Sequence, residues 1–140
     1  MPRSPQHKNK TLTVLAAFLL GGVGAQRFYL HGARDRWAWL HLASLPVAGV
    51  VCLLFSGADW FYKILPIVLS ALGGFMQALV LGLLPDEQWD ARYNPGTARP
   101  SRSQWPLALL LVLTLALGAG VLIATISRLF DLLYTGGAYG

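Results

Sequence analysis

At 140 residues the chain is the size of one domain, yet 55% of it is hydrophobic and only 12% charged, about half the charged share of a typical soluble protein. The net charge of +5 sits in residues that flank apolar runs, where basic side chains meet headgroups and set topology, so no nucleic-acid partner is expected. Cys52 is the single cysteine, which excludes an intrachain disulfide and a cysteine-rich metal centre.

Four apolar segments follow in chain order. After a short basic tail (residues 1–10), Thr11 to Ala25 is an apolar run of about 15 residues, too short to cross a hydrocarbon core unless its helix continues through Gln26–Leu30. Continued to Leu30 it reaches about 30 Å, with Arg27 snorkelling to the interface and Phe28 and Tyr29 at headgroup depth. Charge-free runs of about 19, 21 and 22 residues then span Trp37–Phe55, Ile64–Leu84 and Trp105–Ile126. Four of the five tryptophans stand at the expected interfaces, as an aromatic belt requires. The expected fold is therefore an all-α integral membrane protein with four transmembrane helices and short connections. Its parts are a helix pair (11–62), a third span (63–84), a polar loop of turns (85–104), a fourth span (105–127) and a C-terminal tail (128–140).

The stretch Gly21–Gly32, "GGVGAQRFYLHG", admits three readings. Arg3, Lys8 and Lys10 before an apolar stretch, with Val23-Gly24-Ala25 as the small-residue site, fit a cleaved signal peptide. Cleavage would leave the aromatic "QRFYLHG" as the new N-terminus, so a retained helix is preferred. A phosphate loop fails on glycine spacing and on the missing strand–helix unit. The third reading is a helix end at the membrane interface, where the glycines admit a close backbone and Arg27 bonds lipid phosphate or terminal carbonyls.

That third reading is joined by a resemblance. "KNKTLTVLAAFLLGGVGAQRFYLHG" resembles the start of the TM-two domain, in which a lysine-led apolar helix leads into G-x-x-G-x-[HQ]-R-F-Y-L-G and then a second apolar helix. Gly21, Gly24, Gln26, Arg27, Phe28, Tyr29 and Leu30 match the run, and Gly32 falls one place late after His31. The charged linker "ARDRW" is similar to the family's, and Gln26 stands where histidine is common. The last two spans are similar to extensions on some bacterial members, which implies a bacterial inner membrane. The resemblance implies placement and fold, and no defined biochemical activity.

Charge distribution bears on topology. With four spans the basic residues divide five against six, which sets no orientation; a re-entrant first segment would divide them nine against two. Four spans are expected because the polar end of the first segment looks like a helix reaching an interface, and the arginine-bearing linkers would then be cytoplasmic.

Small residues four apart form a stripe in each segment: Thr13/Ala17/Gly21/Ala25, Ser44/Ala48/Cys52/Ser56, Ser70/Gly74/Ala78/Gly82 and Ala116/Gly120/Ala124. Ser70, Gly74, Ala78 and Gly82 make the longest and most glycine-rich, the best candidate for a packing seam between copies; the others suit packing inside one chain. Gln77 is the most polar residue within a span and the candidate polar contact, most simply an interhelical hydrogen bond worth about 1 kcal/mol. His41 suits a hydrogen-bonded packing role, and Asp86, Glu87 and Asp90 a solvated loop rim with Arg92 as counter-charge. No catalytic set, cofactor or metal site is expected. The leading expectation is a non-enzymatic subunit, scaffold or accessory of a membrane complex, whose partners are the bilayer and other membrane helices (in a homo-oligomer or hetero-complex). The alternative is a small channel or transporter subunit with Gln77, Thr114 and Thr125 along a polar path.

Overall fold

A computed structural model describes residues 6–139, and these form six helices with no strand among them. In chain order they are α1 (Lys10–Leu20), α2 (Ala25–His31), α3 (Arg36–Leu54), α4 (Trp60–Leu83), α5 (Asp86–Tyr93) and α6 (Trp105–Thr135). Of the expected N-terminal tail, residues 1–5 lie outside the described residues, as does Gly140.

The three long charge-free runs become α3, α4 and α6, with 19, 24 and 31 residues, or about 28, 36 and 46 Å of helix. All three are long and apolar enough to cross a membrane. Two begin on an aspartate whose carboxylate accepts a backbone N–H of the first turn: Asp35 from Trp37 at 3.1 Å and Asp59 from Phe61 at 2.8 Å. α3 and α4 both continue through an internal proline, Pro46 and Pro66.

Burial is inverted relative to a water-soluble domain. The apolar core is small, built on Val14, Ala17, Ala78 and Leu107 with Leu81, Leu110 and Leu111 against it. Leu53, Leu54, Val112 and Ile123 face outward, each more than 60% exposed. Outward leucine and isoleucine on long helices suit a hydrocarbon solvent and would be a liability in water. The chain is a membrane protein.

The first segment departs from the expected single helix. α1 has 11 residues, about 16 Å, and gives way to a tight turn over Gly21–Val23. Gly24 then takes φ 77° and ψ 22°, a left-handed conformation that glycine adopts without penalty, and α2 leaves in a new direction. The chain folds back on itself: Lys8 Nζ donates to Tyr29 O at 2.7 Å, and Asn9 N donates to the Tyr29 hydroxyl at 3.1 Å. Gly32, at φ 74°, ends α2 by donating to Phe28 O. Three helices of spanning length and a shorter apolar helix that folds back at Gly24 thus stand where four spans are expected.

α4 is the central element, packed against α1, α3 and α6. It runs antiparallel to α1, with Lys10 beside Leu84, Val14 beside Gly82 and Gly21 beside Gly74. The Ser70/Gly74/Ala78/Gly82 stripe is used here within the chain. Gly74, Ala78 and Gly82 are buried, and a Cβ on Gly74 would stand 2.5 Å from Gly21 Cα. The polar loop is also more ordered than turns alone would be. It holds α5, whose Trp89 is fully buried and donates its indole N–H to Lys8 O at 3.1 Å. At the other end of the bundle Arg128 of α6 joins Asp59 at 2.9 Å and Asp131 at 2.6 Å. That helix runs on to Thr135, eight residues beyond the expected end of the fourth span.

Candidate functional site

The glycine turn opens onto a part-buried line of polar side chains from three helices. Gln26, at the start of α2, is fully buried and donates its Nε2 to Gln77 Oε1 at 2.8 Å. Gln77 Nε2 lies 3.0 Å from His41 Nε2, and His41 Nδ1 lies 2.8 Å from Ser70 Oγ. The Ser70 hydroxyl donates to Gly22 O at 2.6 Å, inside the turn itself.

One set of donor roles satisfies every contact in the line. Ser70 has one hydroxyl proton and gives it to Gly22 O, so its oxygen accepts from His41 Nδ1–H. His41 Nε2 is then the free lone pair that takes the Gln77 amide N–H, which leaves Gln77 Oε1 to accept from Gln26. In this arrangement His41 Nδ1 donates and Nε2 accepts. The line runs one way, from Gln26 to the backbone of the turn. Its one loose end is Gln26 Oε1, buried without a partner among the described residues. Buried amides in hydrocarbon need such pairing, and the pairing in turn holds the turn against α3 and α4.

Gln77 and His41 were each singled out by sequence as hydrogen-bonded packing residues, and both are so used; what sequence could not give is that they share one line with Gln26 and Ser70. Thr114 and Thr125, the other two residues of the alternative channel reading, do not join this line. Thr114 and Thr125 are buried, but their hydroxyls donate to their own helix, to Leu110 O at 2.6 Å and Val121 O at 2.7 Å.

Every residue of the glycine–arginine–aromatic run has a structural task. Gly21 meets Gly74, Gly24 makes the turn, and Gln26 starts the polar line. Arg27 Nε donates to Asp35 Oδ2 at 2.6 Å, tying the hairpin to the cap of α3. The guanidinium holds the Asp35 carboxyl below the usual carboxylate range. Phe28 stacks edge-on against Trp39 with ring centres 5.5 Å apart. Tyr29 receives Lys8 and Asn9, with the Lys8 ammonium 4.7 Å above its ring. Leu30 is half-buried and Gly32 closes α2.

Residues 6–54 match the family model of the TM2 domain. This segment is a TM2 domain. Its matched end falls on the last residue of α3, so the TM2 domain here comprises the folded-back hairpin and one long helix, while α4, α5 and α6 lie beyond the match. No curated protein and no solved structure matches the chain.

The TM2 domain is clamped to the rest of the chain at the lysine that leads it. Lys10 is 6% exposed. Its ammonium donates to Leu84 O at the end of α4, to Asp86 Oδ1 at 3.0 Å and to Ser103 Oγ at 3.1 Å. Two residues earlier, Asn94 brackets the Lys8 backbone, accepting from its N–H at 2.6 Å and donating to its carbonyl at 3.1 Å. The acidic loop residues are thus part of a docking surface. Asp86 pairs with Lys10 and Ser103, Asp90 with Asn94 and Ser101, and only Glu87 is a solvated rim residue. Arg92 lies over the Tyr93 ring instead of serving as their counter-charge.

Burial pushes the Asp86 carboxyl up, but the Ser103 hydroxyl, the Ser103 backbone N–H and the Lys10 ammonium together hold it below its ordinary value. Asp90 is likewise held low against burial, by Asn94 and by the hydroxyl and N–H of Ser101. A carboxyl whose folded pKa is depressed contributes stability above its unfolded value, near 3.9, and that stability drains away as pH falls through the folded value. The protection factors of the backbone amides of Ser101 and Ser103, taken relative to intrinsic exchange at each pH, should therefore be flat from about pH 7 to 5 and fall below about pH 4. Protection already lost at pH 6 would assign the docking to a histidine instead.

Proposed function

We propose that this is a non-enzymatic integral membrane protein that acts by helix-mediated association, as a subunit, scaffold or accessory of a membrane complex. The observation that carries this reading is the outward face of α6. Ala116, Gly120 and Ala124 are all exposed there, and nothing lies within 4 Å of where a Cβ on Gly120 would stand. The α4 stripe is already filled by α1, whereas this one offers a second helix the close backbone approach that membrane helices use to associate. The bacterial inner membrane remains the proposed location, on the resemblance of the last two spans.

The accompanying topology is three crossings with a re-entrant TM2 hairpin. Arg3, Lys8, Lys10, Arg27, Arg34, Arg36, Arg92, Arg99 and Arg102 then fall on one side, against Lys63 and Arg128 on the other. Contacts of Lys8 with Tyr29 and of His31 with Tyr93, ring centres 6.1 Å apart, support that grouping. A nine-to-two bias makes the basic side cytoplasmic.

One set of single-cysteine variants in a Cys52→Ser background tests both parts. Gly120→Cys should form disulfide-linked or partner-linked species in membranes. Lys8→Cys and Asp35→Cys should react with an impermeant maleimide from the same side. A strict monomer with no co-purifying chain would reject the association, and labelling from opposite sides would reject the hairpin.

A further inference from the structure

Beside the Lys10 clamp lies a cavity of about 650 Å³ that the interactions described so far leave unused. It opens between the first turn of α1, through Asn9, Lys10 and Thr11, and the first turn of α6, through Gln104 and Pro106. Its third wall is the strand of loop that carries Arg99 and Arg102.

Positive charge is in excess around this cavity: Arg99 and Arg102 line it, while Asp86 offsets Lys10 and Asp90 bonds Ser101 at its wall. Two helix N-termini converge on it, each carrying roughly half a positive charge. The α6 terminus has no side-chain cap at Gln104. Arg99 and Arg102 make no ion pair and no hydrogen bond among the described residues, and none of the described lining side chains is a carboxylate. Asp86 and Asp90, the acids closest in sequence, are taken up by Lys10 and Ser103 and by Asn94 and Ser101, which leaves both guanidiniums without a counter-charge among the described residues. His7 also lines the cavity, and its Nδ1 is buried without a partner. Two unpaired guanidiniums at a helix N-terminus are the donor set that phosphate oxygens take in bidentate fashion.

Depth specifies the ligand further. Trp105, the first residue of α6, is 75% exposed at the cavity's edge, the position of an interfacial aromatic anchor. The cavity thus sits where a span begins, at headgroup level. We propose that it binds an anionic phosphate group, presented by a phospholipid headgroup or free in solution.

The test uses the full chain in lipid nanodiscs, with arginine reactivity toward phenylglyoxal read peptide by peptide in the mass spectrometer. Discs of phosphatidylcholine containing about one tenth phosphatidylglycerol should slow modification of Arg99 and Arg102 roughly fivefold or more relative to phosphatidylcholine alone. Arg34 and Arg36, on the same side but outside the cavity, should change less than about twofold. Millimolar inorganic phosphate added to phosphatidylcholine discs separates the sources: shielding by it identifies a free-phosphate site, and shielding by phosphatidylglycerol alone a lipid site. Either supports the proposal. Shielding by neither overturns it, as does equal shielding of Arg34 and Arg36, which would mean mere attraction to a charged surface. Where phosphatidylglycerol shields, a double variant, Arg99→Gln with Arg102→Gln, should retain co-purified anionic phospholipid about tenfold less well, and undiminished retention in that case overturns the proposal.

Discussion

Replacing Gly74 by valine should prevent the TM2 hairpin from seating and lower the thermal midpoint by about 10 °C or more. A Cβ at position 74 would lie 2.5 Å from Gly21 Cα, 2.6 Å from its carbonyl carbon and 2.9 Å from its oxygen, and a Cβ on Gly21 would lie 2.6 Å from Gly74 Cα. All of these partners are backbone, so no rotamer change relieves the clash. The end of α1 must retreat, and it takes the Gly22 carbonyl away from Ser70. Overpacking of this kind costs about 1–3 kcal/mol, and each hydrogen bond lost from the polar line adds about 1 kcal/mol. Gly74→Ala should show a smaller version of the same effect. Gly49→Val is the control: no atom lies within 4 Å of its Cβ position, so its stability should stay within about 0.5 kcal/mol of the parent. A Gly74→Val protein that melts with the parent would mean that the two backbones do not touch.

The same contact explains what could and could not be read from sequence. Apolar runs without charges are long-range signals, and α3, α4 and α6 fall where those runs fall. The break in the first segment rests on the conformation of one residue. "GGVGA" has no proline and no polar residue, and glycine both continues a helix at modest cost and turns it at none. Only the partners of Gly24, Ala38 O and His41 Cβ, both 3.0 Å from its Cβ position, show which way the residue is used. The charge bias pointed toward a folded-back segment, and it weighed less than the length of the apolar run. Trp89 was legible in principle: Pro85 followed by Asp86 and Glu87 is a helix start, and a tryptophan four residues on is the side chain such a helix buries. The polar line was not legible as a unit. Its members come from three helices, and only folding brings Gln26, His41, Ser70 and Gln77 to hydrogen-bonding distance. Neither was the role of the small-residue stripes, because the spacing is the same whether the facing helix belongs to this chain or to another.

Lys10→Met is the second large effect, expected to remove about 2–3 kcal/mol and to release the α5 region from the TM2 domain. The ammonium has three protons and three acceptors arranged around it, the Leu84 carbonyl, Asp86 and Ser103. Methionine matches its length and none of its chemistry. Asp86 would keep its Ser103 contacts, but the terminal carbonyl of α4 would lose its donor in a site with little water. Amide exchange across Asp86–Tyr93 should accelerate, while that of α3 and the lower half of α4 should not. Lys10→Arg should fail to restore protection, because a planar fork cannot aim three donors at acceptors placed around a point charge. The double variant Lys10→Met with Asp86→Asn should cost less than the sum of the two single changes, since each removes the other's partner. Strict additivity would mean that the pair is not coupled and that Leu84 and Ser103 hold the lysine by themselves. The coupling matters beyond stability, since Lys10 stands at the mouth of the basic cavity as well as at the head of the hairpin. Loss of the clamp should therefore also weaken shielding of Arg99 and Arg102 by anionic phosphate, through displacement of the loop that carries them.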